Sequence, residues 1–190
     1  RGDLAGNSTF FWRVGARNAL EATNHPPGQG VPHVGLGSLQ IPWSFRLDPL
    51  SALMILVVTG IGFLIHVYSI GYLHEESRGG YARFFSYLNL FCFFMLTLVL
   101  GGNCLVMFVG WEGVGLCSYL LIGFWFEKDS AAGAGKKAFI VNRIGDAGFI
   151  LGIFFILLNM GSGEFRAINE AIGRGAVTPV LATLIALLLF

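Results

Sequence analysis

Charged side chains are scarce in this chain. Asp, Glu, Lys and Arg make up 12% of its 190 residues, and hydrophobic residues make up 55%; the mean hydropathy is +0.70. Ordinary soluble domains carry roughly 25% charged residues. The composition therefore excludes a soluble enzyme and is typical of a membrane protein. The net charge of +1 gives no reason to expect a nucleic-acid partner.

Cysteine is equally scarce, and the cysteines stand far apart in the sequence. The three residues are Cys92, Cys104 and Cys117. Without a CxxC pair they do not have the spacing of a metal site or a redox motif. They are predicted to be small apolar core residues.

Two short motifs that would indicate soluble enzymes are incomplete. Residues 74–78 begin like the zinc-protease pattern HExxH, but Arg78 occupies the place of the second histidine. Residues 135–137 begin like the end of a phosphate-binding loop, but a second lysine stands where serine or threonine is required, and no strand precedes them. A zinc protease and a phosphate-loop protein are both excluded.

Long apolar runs are what the chain has in abundance. A helix rises ~1.5 Å per residue, so about 20 residues cross a hydrocarbon layer ~30 Å thick. Asp48 and Pro49 are a typical N-cap and first helical residue. Residues 48–190 are therefore predicted to form an all-α, polytopic helix bundle. Its predicted spans are about 49–73, 83–100, 104–126, 137–160 and a truncated 179–190.

The two ends of the sequence lead to the expectation of an internal piece of a longer protein. Residue 1 is not methionine and stands in a polar stretch, and the last apolar run stops after 12 residues. Residues 1–47 are polar and are predicted to form a loop with a short β-hairpin. Hydrophobic and other residues alternate along 39–47, which favours a strand, with Pro42 placing it at an edge.

Lys and Arg near the span ends predict the orientation in the membrane. One side carries Arg46, Arg166 and Arg174, and the other carries Arg78, Arg83, Lys128, Lys136 and Lys137. This modest excess places the 74–82 and 127–136 loops in the cytoplasm. The N-terminal hairpin is accordingly predicted to be extracytoplasmic.

Glu112 is the strongest candidate for a functional residue. It is the only charged residue of the segment 103–126, and it lies near the middle of that segment. Three glycines surround it, at positions 110, 113 and 115. A carboxylate at that depth costs a few kcal/mol on insertion scales, so it is expected to face protein or water and to have a function.

Arg143 and Asp146 are a second polar feature, in the next predicted span. Three residues apart, they share a helix face and are close enough to pair. Counted from the cytoplasmic helix ends, Glu112 would lie ~20 Å deep, Asp146 ~13 Å and Arg143 ~9 Å. The expectation is a ladder with gaps that water or other side chains would bridge. The Arg–Asp pair could equally serve only to hold two helices together.

His66 is the only titratable side chain inside the first predicted span apart from the tyrosines. A lone histidine near a helix end is more often a packed or interfacial residue than a proton carrier. The packed interpretation is therefore preferred, and the proton carrier is the alternative.

Four segments closely resemble the largest antiporter-like membrane subunit of respiratory complex I, chain L in bacteria and chain 5 in mitochondria. They read LDPLSALMILVVTGIGFLIHVYSIGYL at 47–73, YARFF at 81–85, VGWEGVGLCSYLLIGFW at 109–125 and KAFIVNRIGDAGF at 137–149. The third is long enough to be highly specific. The resemblance implies a helical membrane subunit of two inverted repeats, with this chain in the first.

The resemblance also assigns roles to the three charged residues. Glu112 matches the family's essential glutamate, and Arg143 and Asp146 match residues implicated in its function. In the family, a lysine on the following broken span pairs with the glutamate, beyond Phe190 here. The family subunit itself binds no NADH, flavin, iron–sulfur cluster or quinone. Those groups are expected in partner subunits of the complex, so no cofactor and no metal is expected on this chain.

The sequence therefore predicts a proton-translocating subunit of an NADH:quinone oxidoreductase in the inner (plasma) membrane of a bacterium. A mitochondrial inner membrane is the less favoured location. One alternative function is the large subunit of a multisubunit Na⁺/H⁺ antiporter, which shares the fold. The other is a structural membrane subunit, in which Glu112, Arg143 and Asp146 serve assembly alone.

Overall fold

The computed structural model describes residues 10–13, 33–36, 39–175 and 177–189. Within these ranges, four short strands precede six helices. The strands are β1 (Phe10–Arg13), β2 (His33–Leu36), β3 (Leu39–Pro42) and β4 (Ser44–Leu47). The helices are α1 (Pro49–Tyr72), α2 (Arg78–Leu100), α3 (Cys104–Ile122), α4 (Asp129–Met160), α5 (Phe165–Gly173) and α6 (Pro179–Leu189).

Four of these helices, α1 to α4, are long and apolar enough to cross a membrane. The α6 helix is apolar as well but has only 11 residues. Much of the outward face of α1 consists of exposed aliphatic and aromatic side chains, as in a helix that faces lipid or a neighbouring protein. The chain is thus a multi-pass α-helical membrane protein, and the predicted fold class is confirmed.

Several helix ends differ from the predicted ones. α2 begins at Arg78 instead of 83, because the Ser77 hydroxyl caps it by accepting from Gly80 N at 3.1 Å. α3 ends at Ile122, four residues before its predicted end. α4 begins at Asp129 instead of 137, so most of the predicted 127–136 loop is helical. The alanines of this stretch favour a helix.

The N-terminal strands form two antiparallel pairs, β2 with β3 and β1 with β4. The strand predicted over 39–47 is interrupted at Trp43, so its two halves pair with different partners. A small β element beside the helices is therefore present, as two pairs instead of one hairpin. The other residues of the predicted 1–47 loop, 1–9, 14–32 and 37–38, lie outside the described ranges.

The start of α1 is fixed by a reciprocal cap between Asp48 and Ser51. Ser51 N donates to Asp48 Oδ1 at 2.8 Å, and Asp48 N donates to Ser51 Oγ at 2.7 Å. The backbone hydrogen bond from Ser51 lowers the pKa of the Asp48 carboxyl below its usual value, and nearby Arg46 lowers it further. This predicted N-cap is confirmed.

Helix α3 lies between α2 and α4, and glycines bring it unusually close to α2. A Cβ at Gly110 would overlap the backbone of Leu98, and a Cβ at Gly113 would overlap the ring of Phe94. Small residues at such positions are how membrane helices approach closely. Gly152 of α4 likewise lies close to α6, since a Cβ there would lie 2.8 Å from Leu189 Cδ2.

Asn103 connects the strands to the helices. It is fully buried, its Oδ1 accepts from Val106 N at 2.9 Å, and its Nδ2 donates to Pro42 O at 2.7 Å. The next residue, Cys104, donates its backbone N–H to Gly163 O at 2.9 Å. One side chain thus caps α3 and holds the end of β3 against it.

Candidate functional site

Glu112 lies on α3 and meets α4 through the side chain of Arg143. Arg143 Nη1 donates directly to Glu112 Oε2. The Glu112 side chain is 28% exposed and the Arg143 side chain 33%. No residue of α3 itself neutralises the glutamate, so its counter-charge comes from the neighbouring helix.

The same guanidinium also holds Asp146, one turn further along α4. Arg143 Nη2 lies 3.0 Å from Asp146 Oδ2. Asp146 Oδ2 has no hydrogen-bond partner among the described residues, so the attraction there is mainly between charges. The face of the guanidinium rests on the Phe139 ring, with Cζ 4.9 Å from the ring centroid. Arg143 is therefore shared by two carboxylates across two helices.

Gly115 leaves the space that the guanidinium occupies. It stands three residues after Glu112, and a Cβ there would lie 3.2 Å from Arg143 Nη2 and 3.6 Å from Asn142 Nδ2. Residues three apart face the same side of a helix. The glycine near the acid thus permits α3 and the arginine to approach each other.

Asp146 is almost completely buried, with 3% of its surface exposed. Its Oδ1 accepts a hydrogen bond from the indole Nε1 of Trp111 at 2.7 Å. Two adjacent residues of α3 therefore reach the ion pair of α4 in different ways: Glu112 meets the arginine, and Trp111 meets the aspartate. We call Glu112, Arg143 and Asp146 the ion triad.

Trp111 is held in place by a stack of aromatic rings. Its indole lies on Phe149 with centroids 5.7 Å apart and planes 18° apart, and Phe149 stacks in turn on Phe108 at 5.5 Å and 25°. Trp111 is not among the predicted site residues, because an uncharged residue does not stand out in an apolar run. The available signal was its mid-span position, since tryptophan in membrane proteins favours the interfaces.

The structure brings the three predicted residues together, but not as the predicted ladder. The expectation of gaps bridged by water is wrong, since one arginine contacts both acids. The predicted depths were counted from the cytoplasmic ends of the two helices. Those ends lie elsewhere, because α3 ends at Ile122 and α4 begins at Asp129. The long arginine side chain spans the remaining separation.

His66 lies apart from the ion triad, on α1. Its Nδ1 donates to Gly62 O at 2.7 Å, and its ring lies 6.0 Å from that of Phe85. A carbonyl only accepts, so Nδ1 carries a proton. The geometry is that of a packed residue, in agreement with the preferred interpretation. Across the described part of the chain, no group of three or more His, Cys, Asp or Glu side chains is placed to hold a metal ion.

Two family profiles match the chain one after the other. Residues 34–85 match the family described as NADH-ubiquinone oxidoreductase (complex I), chain 5 N-terminus. Residues 101–190 match the family described as NADH:quinone oxidoreductase/Mrp antiporter, TM. Between them the two matches take in well over half of the chain, and they confirm the predicted resemblance.

Individual relatives agree with the family profiles. A protein of Mycobacterium tuberculosis named NADH-quinone oxidoreductase subunit L is 43% identical over 173 residues, which is 91% of this chain and 26% of that protein. The Neisseria meningitidis protein of the same name is 50% identical over 131 residues, 69% of this chain and 19% of that protein. The chain thus spans about a quarter or less of the length of these relatives.

A solved structure is similar to the described fold. It is the structure of the Mrp complex from Dietzia sp. DQ12-45-1b, with a TM-score of 0.71 and 26% sequence identity. The match covers 89% of this chain and 18% of that one.

Proposed function

The chain belongs to the family of antiporter-like membrane subunits that includes subunit L of NADH-quinone oxidoreductase, and on this basis we propose that it is part of a proton-translocating subunit of respiratory complex I. Other membrane subunits of that complex would be its partners. NADH, flavin, iron–sulfur clusters and quinone would be bound by partner subunits, and this chain would bind no cofactor. The membrane would be the bacterial plasma membrane, with the 74–77 and 123–128 loops in the cytoplasm.

The observation that supports this function most is the unequal charge of the ion triad. One guanidinium is shared by two carboxylates, so the group carries a net charge of −1 when both acids are ionised. A single uncompensated charge within membrane-spanning helices is unfavourable by several kcal/mol, roughly. The site therefore favours taking up a proton, and releases it when a further positive charge approaches.

In the proposed mechanism, redox chemistry elsewhere in the complex shifts the charge near Glu112. Glu112 responds by gaining or losing its proton. Exchange with the cytoplasmic side runs past Arg143, which contacts Glu112 directly, while the charge of Asp146 holds the guanidinium in place. Arg143 stabilises the ionised glutamate and remains close enough to Asp146 to be retained when Glu112 is neutral.

The test is Glu112→Gln in the full-length protein, assayed as NADH-driven proton pumping in proteoliposomes containing the assembled complex. The amide keeps the size of the side chain but cannot be ionised, so most pumping and much of the coupled NADH oxidation should be lost. Glu170→Gln is the matched control, because Glu170 forms an exposed pair with Arg166 on α5 at 3.1 Å. Normal pumping by Glu112→Gln in assembled complex would contradict the proposal.

A second candidate is the large subunit of a multisubunit Na⁺/H⁺ antiporter. The similarity to the Mrp complex structure favours it, and one of the two matching profiles covers both kinds of protein. The relatives named subunit L are, however, 43–50% identical, against 26% for the Mrp chain. Rescue of growth at high sodium by the full-length gene, in a strain that lacks its own antiporters, would favour the second candidate over the first.

A purely structural role makes a different prediction for the same variant. If the ion triad served only to hold α3 against α4, Glu112→Gln would reduce the amount of assembled complex. Native gels would then show dissociation, and the remaining intact complex would pump normally. Intact complex with lost pumping separates the proposed function from this alternative.

A further inference from the structure

The two acids of the ion triad have different surroundings. Both oxygens of Asp146 face donors: Oδ1 accepts from Trp111 Nε1 at 2.7 Å, and Oδ2 lies 3.0 Å from Arg143 Nη2. Glu112 has a donor on Oε2 alone, and none of the described residues forms a hydrogen bond with its Oε1. The Asp146 side chain is 4% exposed and that of Glu112 is 28% exposed.

This asymmetry decides which acid has room for a proton. A protonated carboxyl group must direct its O–H at an acceptor or at water. At Asp146 the indole N–H occupies Oδ1, and Oδ2 faces the Arg143 guanidinium, which attracts the ionised form and has no acceptor for an O–H. At Glu112, none of the described residues donates to Oε1, and 28% of the side chain is exposed.

The other elements packed against Asp146 supply no competing charge. Arg143 is the cation of the triad on α4, and Glu112 is the ionisable residue of α3 beyond it. α6, which packs against α4 at Gly152, carries no ionisable side chain between 179 and 189. The ionisable pair of α5, Arg166 and Glu170, is exposed and internally neutral.

We propose that Trp111 is a positioning residue that acts through Asp146. Its indole N–H keeps Asp146 a permanent carboxylate, so that Glu112 alone of the two acids gains and loses a proton. Asp146 then contributes a fixed negative charge that retains Arg143 while Glu112 is neutral. This inference rests on the proposed function of Glu112 and assigns a separate role to each of the other residues of the site.

The aromatic stack is what allows Trp111 to serve in this way. Phe149 is largely buried and packs against one face of the indole. The N–H of Trp111 is therefore already directed at Asp146 before the charge on Glu112 changes. A donor fixed in advance stabilises a charge more effectively than one that must reorganise. The hydrogen bond from Trp111 Nε1 to Asp146 Oδ1 is 2.7 Å long, so the donor contacts the carboxylate directly.

Trp111→Phe in the full-length protein, studied in assembled complex, removes the N–H and keeps a ring that can stack on Phe149. Losing one hydrogen bond to a charged group should reduce proton pumping about tenfold. Trp125→Phe is the matched control, since Trp125 Nε1 donates to the Glu76 carboxylate at 2.6 Å in an exposed loop contact. The control should pump like wild type.

A second pair of variants tests whether Trp111 acts through Asp146. In an Asp146→Asn background the fixed charge is already gone, so adding Trp111→Phe should cause no further loss of pumping. Independent losses that multiply in the double variant would overturn the inference. Unaltered pumping by Trp111→Phe would overturn it as well.

Infrared spectroscopy of the complex provides a measurement that does not depend on the Trp111 variant assembling. Wild type minus Asp146→Asn should show an ionised carboxylate band and no C=O band of a protonated acid, at rest and during turnover. A protonated-acid band that Asp146→Asn removes would overturn the inference. If that band is seen and Glu112→Gln still abolishes pumping, only the role of Trp111 is refuted. Normal pumping by Glu112→Gln refutes the proposed function itself.

Discussion

Replacing Gly115 by alanine should disturb the ion triad while leaving helix α3 intact. The added Cβ would lie 3.2 Å from Arg143 Nη2, closer than the about 3.5–4.0 Å of ordinary contacts. The guanidinium would have to retreat by a few tenths of an ångström. It cannot do so freely, because Glu112 and Asp146 hold two of its nitrogens.

The expected change in stability is small, because two effects oppose each other. Alanine is better than glycine inside a helix by roughly 0.5–1 kcal/mol. Weakening one contact between charged groups costs up to about 1.5–3 kcal/mol. The net destabilisation should be about 1–2 kcal/mol. Applied to the ionised form of the triad, an effect of that size changes the rate of proton exchange about tenfold.

Gly145→Ala is the matched control, since nothing lies within 4 Å of a Cβ built at Gly145 on α4. Both variants should assemble, and the assay is NADH-driven proton pumping together with the thermal unfolding midpoint of the purified complex. Gly115→Ala should pump about tenfold more slowly than Gly145→Ala. Equal pumping by the two variants would refute the reasoning that Gly115 makes room for Arg143.

Two further predictions concern the ends of helices. Asn103→Ala should destabilise the protein by about 2–4 kcal/mol, since it removes the cap of α3 and the hydrogen bond to the half-buried Pro42 carbonyl. Asn103→Ser keeps a capping oxygen and should have an intermediate thermal midpoint, and an unchanged midpoint in Asn103→Ala would contradict this. Because its folded-state pKa lies below the usual 3.8, Asp48 stabilises the fold above that value and loses this contribution as the pH falls through the folded pKa. Asp48→Asn should therefore flatten the fall of the thermal midpoint in the acid range, and an identical acid limb would exclude Asp48 as its source.

The sequence was sufficient to find the charged members of the site. Glu112, Arg143 and Asp146 stand out because ionisable residues are expensive in apolar spans, so their presence alone indicates a role. The contacts among these three side chains could not be predicted from the sequence. Those depend on where α3 ends and α4 begins, and the alanine- and glycine-rich stretch before Lys136 supports a helix or a loop equally well in local terms.

Trp111 illustrates a different limit. Its function depends on a partner 35 residues away on another helix and on a stack with Phe149. No periodicity or spacing in the sequence encodes such a contact. The interruption at Trp43 was missed for a related reason, because alternation of side chains predicts a strand but does not say with which neighbour each half will pair.

The close seating of α3 on α2 has a consequence for motion. The Leu98 backbone packs directly against Gly110, and the Phe94 ring packs directly against Gly113, so no α3 side chain separates the two helices at these positions. Rotation or sliding of α3 against α2 would make these groups overlap. We therefore expect α2 and α3 to move as one rigid unit, which keeps the backbone of Glu112 at a constant position. Any rearrangement that accompanies the gain and loss of a proton at Glu112 is then expected in side chains or in α4.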